Sequence, residues 1–164
     1  HDPDPATASA LSFDIEAAER GDEEAAARVG AAMNGPLQFG TAGLRGVVGT
    51  GESRMNLAVV IRATAGLCEV VKRHATGTPT LVVGCDARYG SSEFATAACR
   101  VASAAGVRVL ALPQANPTPL TSFAVRHFGA DAGVMVTASH NPAPDNGYKV
   151  YLGGSVVTGD GQGV

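Results

Sequence analysis

The sequence has no basic cluster and little charge of either sign. Asp, Glu, Lys and Arg make up 16% of its 164 residues, and the formal net charge is -3. A weakly acidic chain offers no field for gathering nucleic acid or anionic lipid, so neither is expected as a partner. There is also no apolar run near the roughly 20 residues that cross a bilayer. No secretory leader opens the chain, which begins at His1 without a methionine. Cysteine is scarce: Cys68, Cys85 and Cys99 are widely spaced, odd in number and set among apolar residues. That pattern reads as buried reduced thiols rather than disulfides or a metal site, and it points to the cytoplasm. What remains is rich in apolar residues (45%) and in glycine (21 residues), enough to bury one sizeable core in a soluble globular domain.

The chain divides into two unlike parts. Residues 1–35 hold DPDP and then acidic, alanine-rich segments such as GDEEAAARVGAAM, which read as short amphipathic helices forming an N-terminal leader with no visible chemistry. From Pro36 to Val164 the texture is that of one larger domain. FGTAGLRGVVGTG places glycines at 40, 43, 46, 49 and 51, which suits a loop whose backbone must approach something closely. Asn56 can cap a helix whose apolar face runs from Leu57 to Val71 and which breaks at Thr76-Gly77. A strand at 80–84, a helix from Ser92 stopped by Gly106, a strand at 107–112, a helix capped by Thr118 with Pro119 first, and a strand at 132–138 make two successive βαβ units. The expected class is a three-layer α/β/α domain with a mixed, mostly parallel sheet, the segment 148–152 joining it as an antiparallel strand. In such a sheet the loops after parallel strands share one edge, so Asp86 and Arg88, the proline-rich turn PQANP, and Ser139-His140-Asn141 are neighbours by topology.

Ser139 ends the apolar run AGVMVTA in the stretch TASHNP. A serine followed by Asn-Pro after a strand is commonly a turn residue. Against that reading, Ser139, His140, Asn141, Asp145, Asn146 and Lys149 crowd one short segment at the edge where ligands collect. A serine-hydrolase nucleophile does not fit, because the G-x-S-x-G elbow is absent and Pro142 blocks the helix that should come next. His140 is also a poor base for Ser139, since adjacent residues leaving a strand point to opposite sides. Phosphoryl transfer fits better: it needs a hydroxyl acceptor and cations around the phosphoryl oxygens, which Arg45 and Lys149 can supply.

Taken together, FGTAGLRG (39–46), RMN (54–56), GCDARYGSSEFA (84–95), NPTPLTSFAV (116–125) and MVTASHNPAPDNGYKVY (135–151) resemble the first domain of the α-D-phosphohexomutases, the phosphoglucomutase and phosphomannomutase family. DPDPATA resembles the leader of the phosphopentomutase-like members. The resemblance implies an intramolecular phosphotransferase that interconverts hexose 1-phosphate and hexose 6-phosphate through a sugar bisphosphate such as glucose 1,6-bisphosphate. It implies that Ser139 is phosphorylated and, through its phosphate, is one ligand of Mg²⁺. Lys149 and Arg45 match residues beside the phosphoserine, Lys149 also as general acid or base, and His140 and Asn141 match positions that shape the site. For His140 a purely structural contact stays open. For Asp86 and Arg88 the alternative is a salt-bridged brace of the loop.

The chain departs from the family in one respect. The aspartate-rich metal loop, the sugar-selecting loop and the terminal phosphate grip expected of the later domains have no counterpart in this sequence, and the tail VVTGDGQGV supplies one aspartate among glycines. The expected partners are therefore a phosphosugar and the remaining domains of the same enzyme, and these residues alone should be inactive. Hexose or pentose preference stays open, as does a stand-alone binding domain that uses the exposed sheet edge.

Overall fold

The computed structural model describes residues 2–41, 43–153 and 155–156. The tail VVTGDGQGV thus falls almost wholly outside the described residues. The leader forms two helices, α1 (Pro5–Glu19), capped by Asp4, and α2 (Glu23–Ala32), capped by Asp22. They are tied by an Arg28–Asp14 ion pair at 2.8 Å and bury little beyond alanines 17, 25 and 32. The leader is also stitched to the larger domain: Ser53 Oγ donates to the carbonyls of Ala31 and Ala32 at 2.6 and 2.7 Å. These are end-of-helix acceptors that α2 itself cannot satisfy.

Next come β1 (Leu44–Val47), α3 (Leu57–His74), β2 (Thr80–Cys85), α4 (Ser91–Ala104), β3 (Arg108–Ala111), α5 (Thr118–His127), β4 (Ala132–Val136), β5 (Asp145–Leu152) and β6 (Ser155–Val156). The sheet order is β1-β5-β4-β2-β3, with β6 beside β5. Strands β4, β2 and β3 are parallel, while β5 runs antiparallel to both β4 and β1. One face carries α3 and α4 over a core that includes Val60, Cys68, Phe94, Val134 and Tyr148; the other carries α5 over Val82, Val125, Met135 and Tyr151. This is the expected three-layer α/β/α arrangement with a mixed sheet.

The structure corrects four local expectations. The glycine-rich segment expected as loop contains strand β1, because Leu44 through Val47 pair with Tyr148 through Asp145 of β5. Strand β5 accordingly begins at Asp145, not 148. Helix α5 starts at Thr118 itself with Pro117 as the flanking residue and no side-chain cap, so Pro119 stands second in the helix. Helix α4 begins one residue early, at Ser91, after a left-handed Gly90.

Candidate active site

Residues 132–138 are buried without a break, and Ser139 and His140 emerge exposed directly after them. Ser139 has φ +58°, a left-handed backbone that non-glycine residues seldom adopt. Its surroundings fix that conformation from two sides. The Ser139 N–H donates to Thr137 Oγ1 at 2.9 Å, and the Thr137 hydroxyl in turn donates to Asp86 Oδ2 at 2.6 Å. On the other side, Arg88 Nη2 donates to the Ser139 carbonyl at 2.8 Å.

Asp86 belongs to the loop after β2, which runs parallel to β4, so the two loops meet at one edge. Its other oxygen accepts from Ser91 Oγ at 2.6 Å and from the Arg88 N–H at 3.0 Å. Buried Asn146 completes the layer by donating to Ser91 Oγ at 2.9 Å and to the Tyr89 carbonyl at 2.7 Å. Thr137, Ser91 and Asn146 were not singled out from the sequence as members of a network under Ser139. The signal available was polarity at the ends of apolar runs, and it does not say which partner each hydroxyl finds.

The two cations come from adjacent strands. Arg45 of β1 lies opposite Gly147 of β5, so Arg45, Gly147 and Lys149 share one sheet face, while Tyr148 and Val150 point into the α3–α4 core. Such close pairing requires glycine at 43: a Cβ there would collide with the Tyr148 carbonyl and stand 2.9 Å from Lys149 Cα. Both cations are half-buried rather than fully exposed. Burial, with the nearby Arg45 charge, holds the Lys149 ammonium below the ordinary lysine range. Arg45 also reaches the serine loop, Nη1 donating to Asn141 Oδ1 at 3.4 Å, and Asn141 Nδ2 donates to Asp145 at 2.8 Å. Arg45 and His140 line a cleft of about 380 Å³ with Gln38, Gly40, Thr41 and Gly43.

Thus the structure brings Ser139, His140, Asn141, Arg45 and Lys149 to one region. His140 Nδ1 stands 3.5 Å from Ser139 Oγ, at the limit of a hydrogen bond and with both side chains exposed, which is not the geometry of a nucleophile and its base. A magnesium cage does not fit the residues present. Among the described residues there is no group of three or more His, Cys, Asp or Glu side chains placed to hold a metal. Asp86 is engaged by Ser91, Thr137 and Arg88, and Asp145 by Asn141. Arg45, which reaches the serine loop through Asn141, and Lys149 on the same sheet face are cations of the kind that suit an anion.

The comparisons with known proteins agree with this architecture. A family model described as phosphoglucomutase/phosphomannomutase, alpha/beta/alpha domain I, matches residues 36–161. A phosphoribomutase of Saccharomyces cerevisiae is 48% identical over 121 residues, 70% of this chain and 19% of that protein. A probable phosphomannomutase of Haemophilus influenzae is 46% identical over 99 residues, 60% of this chain and 20% of that protein. The crystal structure of a putative phosphomannomutase from Thermus thermophilus superposes with a TM-score of 0.68 at 35% identity, covering 75% of this chain and 27% of that one. The chain therefore spans about a fifth of the length of the curated relatives it matches. With the domain model covering residues 36–161 and this fold beneath it, the chain belongs to the phosphoglucomutase/phosphomannomutase family of mutases, whose alpha/beta/alpha domain I it contains.

Proposed function

We propose that Ser139 is the phosphoryl carrier of a sugar-phosphate mutase and that these residues are its catalytic-serine domain. The observation that carries this reading is an exposed serine, held in a left-handed backbone at the end of a buried strand, whose loop is tied through Asn141 to Arg45, with Lys149 on the same sheet face as Arg45. Phosphoryl transfer asks the protein mainly for positioning and for stabilisation of charge on the phosphoryl oxygens, and this arrangement holds the serine in place and offers cations for that charge.

In the forward half-reaction the phosphoryl group on Ser139 passes to a free hydroxyl of the sugar phosphate. The Ser139 Oγ–P bond breaks, the sugar O–P bond forms, the sugar hydroxyl gives its proton to a general base, and Ser139 Oγ takes up a proton to leave as a hydroxyl. The resulting bisphosphate reorients and returns its other phosphoryl group to Ser139. Arg45 and Lys149 neutralise the transferring group, and Lys149, with its proton affinity lowered by burial, also suits a general acid or base. Asn141, tied to Arg45, contacts the substrate phosphate, and His140 shapes the wall of the cleft. Glucose 1,6-bisphosphate or a similar sugar bisphosphate would prime the serine. Magnesium remains an expectation of the family resemblance: a phosphorylated Ser139 would offer one ligand, and the carboxylates would come from beyond these residues.

A hexose phosphate of glucose or mannose is the favoured substrate. A phosphopentomutase with the same chemistry is the second reading, supported by the 48% identity to a phosphoribomutase. The cytoplasm is the proposed location, supported by three free cysteines, two of them buried. Phosphopeptide mass spectrometry on the full-length protein should find phosphate on Ser139, and Ser139→Ala should abolish mutase turnover. Undiminished activity in Ser139→Ala would sink the assignment.

A further inference from the structure

Arg88 was open to reading as a salt-bridged brace of its loop, and its contacts show what it can hold. Nη1 donates to the carbonyls of Pro142 at 2.9 Å and Asp145 at 3.1 Å, and Nη2 to those of Ser139 and Asn141, both at 2.8 Å. Nε faces Asp86 Oδ2 at 3.4 Å. A guanidinium has five N–H groups. Four are engaged by backbone carbonyls and the fifth faces a carboxylate, so none is left for a phosphate.

All four carbonyls belong to the segment 139–145 that carries the serine. The segment is pinned along its length from beneath, while Asp86, through Thr137, pins the Ser139 N–H. In addition, four carbonyl oxygens, each the negative end of a peptide dipole, are engaged by a cation instead of being free to face the anionic phosphoryl group. Lysine could not substitute, because an ammonium has three donors and no planar fork.

We propose that Arg88, oriented by Asp86, is a positioning residue for phosphoryl transfer: it holds the Ser139–Asp145 segment so that Ser139 Oγ stands in line and the loop carbonyls stay turned from the phosphate. This rests on the phosphoserine reading of Ser139. Its signature is a loss in transfer rate with little loss in sugar-phosphate binding, because Arg88 touches the loop and not the ligand.

The test uses the full-length protein and measures, at a temperature well below the melting point of every variant, the single-turnover rate of phosphate transfer from a sugar bisphosphate to Ser139. Arg88→Lys and Asp86→Asn are the informative variants, with Arg88→Ala as a third. A misplacement of about 1 Å costs on the order of 100-fold, so Arg88→Lys should lose about that factor in transfer rate and kcat, with KM for the sugar phosphate changed by less than about threefold. A folded Arg88→Lys protein that transfers phosphate within about threefold of the parent overturns the proposal. So does a variant whose loss lies wholly in KM, since that would make Arg88 a ligand contact. The phosphoserine reading is checked separately by Ser139→Ala. If that variant stays active, the phosphoserine assignment fails; if it is dead while Arg88→Lys is unimpaired, the clamp alone fails.

Discussion

At the scale of single residues, Lys149 and Arg45 share one face of the sheet, and burial together with the Arg45 charge raises the cost of charging Lys149. Truncating either to alanine should reduce kcat/KM by about two decades, roughly 3 kcal/mol of transition-state stabilisation. The melting temperature should not fall for Lys149→Ala, because removal relieves the burial and the repulsion that lower its proton affinity. A large fall in melting temperature with normal turnover would mark the pair as structural. The pH dependence has the same origin. Folded Lys149 holds its proton less tightly than the unfolded chain does, so its charged form costs stability at neutral pH, and that cost fades as pH rises through the folded value, below the ordinary lysine value of about 10.4. If the protonated form is the working one, the basic limb of kcat/KM tracks this ammonium. Arg45→Gln removes a like charge and should move the limb upward, whereas Lys149→Arg should flatten it; an unmoved limb in both would exclude Lys149 as its source.

At the scale of elements, the segment from β1 to α3 is organised by Asn56. Its Oδ1 accepts from the Val59 N–H at 3.0 Å and its Nδ2 donates to the carbonyls of Gly49 at 3.0 Å and Gly51 at 2.7 Å. Asn56→Ala should cost about 2 to 3 kcal/mol in urea unfolding, a lost cap together with buried carbonyls left unpaired. Asn56→Asp keeps the cap acceptor yet cannot donate, so it should lose most of the same stability; full retention would show that the cap alone matters. This helix start was legible because an N-cap is written within a few residues. Strand β1 was not, since its pairing is supplied by β5 a hundred residues later and glycines flank and interrupt it, against any local strand preference. The same division holds in the site. Ser139, Arg45 and Lys149 were legible as residue types at a sheet edge, but the relay through Thr137 and the fourfold use of Arg88 depend on which carbonyls the folded loop turns inward, and no spacing encodes that.

At the scale of the whole molecule, the sheet and its two helical layers form a complete core. Strands β2 and β4 are buried throughout, with α3 and α4 closing one face and α5 the other. A polypeptide of these 164 residues should therefore unfold in one cooperative transition, since the contacts that define the fold lie within it. Catalysis makes different demands. Among the described residues Arg45 reaches the serine loop through Asn141 and lines a cleft with His140, but no group of three or more His, Cys, Asp or Glu side chains is placed to hold a metal. Nothing among them would hold a sugar hydroxyl in line with the phosphoserine or exclude water from it, and those two effects make transfer fast. The same polypeptide, folded by calorimetry, should convert glucose 1-phosphate at no more than background rate even with Mg²⁺ and glucose 1,6-bisphosphate present. Turnover near that of the full-length protein would mean that the serine, its two cations and its clamp suffice for the reaction, and the role assigned to surrounding domains would have to be abandoned.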